Sequence, residues 1–128
     1  MSILAMILFT ACNDVDVFEP VYGDPIDPVT DLKYSISGNI VTITWVLPSS
    51  YPDDIVQPVS IYLVFNYGGQ KPMTMVLPEA PISFVFDEYN PEMSYKAIVK
   101  VLGYVDKNSE AVGVGGDYRL SLGQTIYF

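Results

Sequence analysis

From Pro28 to the C-terminus, apolar residues recur at every second position in short runs broken by turn chemistry. Leu32, Tyr34 and Ile36 alternate with polar neighbours and lead into Ser37-Gly38-Asn39. "IVTITWVLP" then puts Val41, Ile43 and Trp45 on one side and Thr42 and Thr44 on the other. "VSIYLVFNY" makes a third run, stopped by Gly68-Gly69, and weaker ones cover Met73 to Leu77 and Ile82 to Phe86. "SYKAIVKVLGY" is a long run, and Tyr118 to Phe128 supplies at least one more. A period of two between turn residues is the mark of strands, and Pro48, Pro52 and Pro58 bracket a long loop after the second. No stretch carries an amphipathic helix of useful length. The pattern predicts an all-β chain folded as an antiparallel β-sandwich of about seven strands.

Two of these runs raise a question of parity. If Tyr95 points inward, Ala97, Val99 and Val101 follow it into the core, and Lys96, Ile98, Lys100, Leu102 and Tyr104 face out. In the third run both alternate sets are apolar, Tyr62 and Val64 against Ile61, Leu63, Phe65 and Tyr67. An antiparallel sheet with one wet face alternates cleanly, so one apolar set here is surplus to the core. With Tyr62 and Val64 assigned inward, the outer surface gathers Ile61, Leu63, Phe65, Tyr67, Ile98, Leu102 and Tyr104, bordered by Lys96 and Lys100. That makes it a candidate partner surface. Two other outcomes stay open. Val15, Val17, Phe18, Val21 and Tyr22 could fold back over the patch, or the register is shifted by one and Ile61, Leu63 and Phe65 are core.

Composition narrows the chemistry. The 128 residues suggest one domain, and with 50% hydrophobic residues a real core is expected. Fifteen acids against six bases give a net charge of −9. That repels nucleic acid, whose binding depends on Lys and Arg displacing counterions, and disfavours adsorption to anionic lipid. Histidine is absent and Cys12 is the sole thiol, so no Ser–His or Cys–His pair exists, and transition metals lose their usual ligands. No cofactor is expected.

The N-terminal segment reads differently. Ile3 to Phe9 is an uncharged apolar run, far short of the roughly 20 residues that span a bilayer. It fits the core of a signal peptide, followed by the small residues Thr10 and Ala11. "LFTAC", Leu8 to Cys12, resembles a bacterial lipobox, in which the cysteine is lipidated and becomes the mature N-terminus. The resemblance implies Cys12 as the lipid attachment point and anchoring at the outer membrane. Phe9 is less usual than leucine at its place. No Lys or Arg precedes Lys33, which implies a true start further upstream. The competing reading is a buried free thiol on a short strand. Asn13-Asp14-Val15-Asp16 resembles the export signal of Bacteroides-type surface lipoproteins, which implies exposure at the cell surface; the same acids would equally suit an ordinary solvated tether. Pro20, Pro25 and Pro28 favour extended backbone. The expected division is a signal peptide over 1–11, an acylated cysteine and tether over 12–27, and the folded domain over 28–128.

Within that domain, "PVTDLKYSISGNIVTITWVLP" looks like the opening of a fibronectin type III domain, and "YNPEMSYKAIVKV" is similar to its later signature. The resemblance implies that Trp45 is the core tryptophan of the second strand. It also makes Tyr95 the tyrosine-corner residue, its hydroxyl bonded to backbone a few residues upstream. Tyr89 stands where that family commonly has leucine, and Glu92 where it has a turn glycine. An immunoglobulin domain proper is less suited, because the inter-sheet cysteine pair is missing.

The remaining constellations are weak. "GVGGD", Gly113 to Asp117, lacks the Lys-Ser/Thr of a phosphate loop, and no helix follows it. Asp53-Asp54 and Asp24 with Asp27 could offer oxygens to calcium, but neither pair has an EF-hand pattern, and no metal is expected. The functional expectation is a membrane-anchored, non-enzymatic lipoprotein that acts as a protein-interaction or assembly module, its partner another envelope protein. The alternative is a carbohydrate-binding surface module of a glycan-uptake system, using aromatic rings against sugar faces. A plain spacer is the third possibility.

Overall fold

A computed structural model describes residues 24–68, 71–106 and 118–128. Cys12 and the rest of residues 1–23, Val15, Val17, Phe18, Val21 and Tyr22 included, lie outside them, as do Gly113 to Asp117. The described residues form eight strands: β1 (Thr30–Ser37), β2 (Ile40–Val46), β3 (Ile55–Tyr67), β4 (Met73–Leu77), β5 (Ser83–Phe86), β6 (Tyr95–Val105), β7 (Tyr118–Leu120) and β8 (Gln124–Tyr127). They form a three-stranded sheet, β1-β2-β5, packed on a larger one in which β4, β3 and β6 are followed by both β7 and β8 on the same edge of β6. Every pairing is antiparallel. In the immunoglobulin constant arrangement the fourth strand joins the first sheet. Here β4 pairs with β3 instead, which gives the fibronectin type III-like sandwich.

Local chemistry explains the elements. Ser37 pairs with Ile40 across a two-residue turn, and Gly38 takes φ 63°, the left-handed value such a hairpin asks of its first central residue. β2 buries Val41, Ile43 and Trp45 and turns Thr42 and Thr44 outward. Trp45 Nε1 donates to the Pro81 carbonyl at 2.9 Å, so the indole is buried with its one polar atom satisfied. Tyr95 is 3% exposed, and its hydroxyl accepts from the Asn90 backbone N–H at 2.8 Å, which closes the turn that Pro91 begins. Tyr95→Phe should cost about 1 kcal/mol in urea melts, one hydrogen bond's net worth, with little change in packing.

The parity of β3 is opposite to the expectation. Tyr67 pairs with Tyr95, Phe65 with Ala97, Leu63 with Val99 and Ile61 with Val101. Cross-strand partners share a face, so the odd-numbered set follows Tyr95 inward. Ile61, Leu63 and Phe65 are fully buried, and Tyr67 stacks on Tyr95 with ring centroids 6.0 Å apart. None of these four belongs to an outer surface. Leu102 keeps its outward parity but lies between Ser60 and Leu120 of the adjoining strands and is 5% exposed. Ile98 is half-buried and Tyr104 exposed on the outer face, as the parity of Tyr95 requires.

Pro58 sits within β3 rather than ending a loop. The register with β6 shifts between Val56 and Ser60, and that irregularity accommodates a residue without an N–H. The packed core also starts earlier than residue 28: Ile26 is 3% exposed and Val29 fully buried. Gly103 makes room for this lead segment. A Cβ there would come within 2.6 Å of Ile55 Cγ2 and 2.9 Å of Ile26 Cδ1.

The same end of the sandwich is fastened by charge. Arg119 reaches both carboxylate oxygens of Asp54, at 3.1 and 2.6 Å, and donates to the Asp24 carbonyl at 2.8 Å. Both side chains of the pair are largely buried, 13% and 17% exposed. Asp54 is thus a structural partner of β7. Arg119→Met should cost about 2–3 kcal/mol in urea melts, below the ~3–5 of a fully buried broken pair because some water remains. It should also loosen the lead segment, read as faster amide exchange at Ile26.

Candidate interaction surface

The two outer faces of the sandwich differ in chemistry. On the three-stranded sheet, pairing places Lys33 beside Thr44, Ser35 beside Thr42, and Thr42 beside Val85. Small hydroxyl side chains are the majority on this face, with Ile40, Val46 and Val85 exposed among them but no aromatic ring in these rows, and its lysine is bridged to Asp31 at 3.5 Å. It is an ordinary wet face.

On the larger sheet the rows are apolar and aromatic. Val56, Tyr104 and Tyr118 form one row across β3, β6 and β7 and are 47%, 46% and 52% exposed. Beyond the row of Ser60, Leu102 and Leu120, in which Ser60 and Leu102 are buried, Val76, Tyr62 and Lys100 form another across β4, β3 and β6. Val64 and Ile98 sit beside Thr125, and Asn66 and Lys96 beside Tyr127, which is 68% exposed. Between β7 and β8 the segment 121–123 opposes only Lys100 and Val101, and this bulge projects Leu122 into solvent at 78% exposure. The Ser121 hydroxyl accepts from the Val101 N–H at 2.8 Å and holds the bulge in place.

Of the outer residues expected from sequence, the structure brings together Ile98 and Tyr104, with Lys96 and Lys100 in their expected positions. It adds Tyr62, Val64, Val76, Tyr118 and Tyr127, which sequence reasoning missed. For Tyr62 and Val64 the signal was present: their set is interrupted by Ser60 and Asn66, whereas Val59, Ile61, Leu63, Phe65 and Tyr67 run apolar throughout.

At the Lys96 end of the sheet lies a cleft of about 290 Å³, lined by Asn66, Tyr67, Gly68, Ser94, Tyr95, Lys96 and Tyr127, with no carboxylate among the described residues of its wall. Asn66 Oδ1 is buried in its wall with no hydrogen-bond partner among the described residues. Among the described residues neither Lys96 nor Lys100 has an ion pair. Away from this face, burial raises the Tyr51 phenol above its ordinary pKa. Among the described residues no group of three or more His, Cys, Asp or Glu could hold a metal ion, and no helix is long and apolar enough to cross a membrane.

A family model matches residues 12–128. The chain belongs to that family, described as Domain of unknown function (DUF4945). No curated protein matches the DUF4945 chain. Among solved structures, a computer-redesigned β-sandwich protein aligns with a TM-score of 0.53 at 16% identity, over 80% of this chain and 88% of that one. A myokine structure aligns at 0.50 and 13%, over 82% and 96%. A human FNIII domain, the fourth of its protein, aligns at 0.48 and 17%, over 84% and 79%. At such identities the first two show a shared fold and say nothing of activity.

Proposed function

We propose that this DUF4945 chain is a lipid-anchored, non-enzymatic lipoprotein of the cell envelope, of the Bacteroides surface type. In this reading its fibronectin type III-like domain docks another envelope protein. The observation that carries the proposal is the unequal chemistry of the two outer faces. Soluble monomers seldom expose connected apolar patches beyond a few hundred Å², and larger ones mark interaction sites. Tyrosines with aliphatic neighbours and few charges are also the composition of interface cores. The anchor rests on the lipobox-like "LFTAC" and is supported by a family match that begins at Cys12 and leaves the apolar run outside it.

Tyr104, Tyr118 and Tyr127 also supply the rings a glycan-binding module would use. Val56, Val64, Val76 and Ile98 between and beside them favour a protein, because aliphatic side chains offer a sugar little. The double substitution Tyr104→Ser, Tyr118→Ser separates the function from the fold. Both side chains are about half exposed, so the urea midpoint should hold while co-purification of a discrete envelope protein is lost. If co-purification persists at wild-type yield, the face is not the docking surface.

Cys12→Ser tests the anchor. Stable attachment takes two or more acyl chains on the protein. The variant should leave the detergent phase in a two-phase partition and accumulate as precursor. Wild-type partitioning of the variant would contradict lipidation at Cys12.

A further inference from the structure

We infer that the outer face of the larger sheet recognises an acidic polypeptide, with Lys96 and Lys100 as its charge-reading residues. This rests on the docking reading above and names the chemistry of the partner. The chain carries fifteen acids and six bases, yet the rows across this face hold two lysines and no carboxylate. Of the other described cations, Lys33 bridges Asp31 and Arg119 clamps Asp54, while Lys71 lies exposed just ahead of β4 and off these rows. Lys96 and Lys100 are half-buried and have no ion pair among the described residues. Neighbouring strands set only uncharged residues beside them, Tyr62 against Lys100, and Asn66 and Tyr127 against Lys96.

Two lysines with covered stems and no counter-charge of their own on an otherwise uncharged face complement carboxylates on a partner. The two lysines are four residues apart on one strand, about 13 Å, with Ile98 between them on the same face. An apolar residue flanked by acids therefore matches the row, and the cleft at Lys96, which Ser94 and Tyr127 also line, has the volume to take a glutamate side chain. A second copy of this chain fits poorly. A two-fold contact through the face would offer its lysines no carboxylate, because the rows that would meet them hold none.

The test uses the full chain carrying Cys12→Ser, with a fluorescent glutamate–tyrosine copolymer, polyglutamate and polygalacturonate as probes. The copolymer should bind more tightly than polyglutamate, because the apolar rows add to the charge contacts. Lys96→Gln with Lys100→Gln should weaken copolymer binding tenfold or more at an unchanged urea midpoint. Lys33→Gln with Lys71→Gln alters net charge equally and should change binding less than twofold. Equal losses in both pairs would reduce the effect to net charge and overturn the inference. So would lysine-dependent binding of polygalacturonate alone, which points to an acidic glycan, or failure of the wild-type chain to bind the copolymer. If the copolymer result is negative while Tyr104→Ser, Tyr118→Ser still abolishes co-purification, the acidic-partner inference falls and the docking reading stands. If that substitution also changes nothing, both fall.

Discussion

Trp45→Ala is expected to lower the unfolding free energy by about 3–5 kcal/mol, a large share of the 5–15 typical of a small domain. The indole is 3% exposed and holds the Pro81 carbonyl through Nε1, so truncation leaves a cavity and also an orphaned acceptor on the strand approach to β5. The urea midpoint should fall sharply with little change in slope, since the surface exposed on unfolding is nearly the same. Trp45→Phe keeps most of the volume and loses the N–H, and should cost distinctly less. A loss under 1 kcal/mol for the alanine variant would mean that Trp45 is not central to packing.

Phe65→Ala should have an effect of similar size, about 3–5 kcal/mol, for a different reason. Its ring lies within 4.9 to 6.1 Å of Phe86, Tyr67, Phe84, Tyr95 and Phe128, centroid to centroid, and joins the two sheets at one end of the core. Offset aromatic pairs at such separations contribute beyond their buried area. The neighbouring substitution Val64→Ala, on the outer face, should cost less than half as much. This pair of variants reads the parity of β3 directly in urea melts. A larger loss at Val64 than at Phe65 would reverse the face assignment and with it the surface described above.

The strands whose parity could be read from sequence are those in which polar residues alternate with apolar ones. Thr42 and Thr44 fix β2, and Lys96 and Lys100 fix β6 once Tyr95 is inward. β3 resisted because both of its sets can be buried, and its orientation is decided by pairing Tyr67 with Tyr95, a contact between residues 28 apart in sequence. Pro58 misled for a related reason: a proline is compatible with a strand only where the ladder is broken, and the break lies between Val56 and Ser60. Ile26 and Val29 gave no periodic signal among Pro25, Asp27 and Pro28, and their burial depends on the space left by Gly103. The candidate surface was therefore half legible. Its lysines, Ile98 and Tyr104 followed from Tyr95, whereas Tyr118 and Tyr127 needed the docking of β7 and β8 on β6 to join them.

The central claim is that the outer face of the larger sheet, and not the other, meets a protein partner in the envelope. Site-specific photo-cross-linking tests it most directly, with a benzophenone amino acid placed in turn at Tyr104, Tyr127 and, on the opposite sheet, Ser35. All three positions are exposed. Illumination of living cells should give one discrete adduct of the same mass from Tyr104 and Tyr127 and none from Ser35. A discrete adduct from Ser35 alone, or none from Tyr104 and Tyr127 at full expression, would contradict the account.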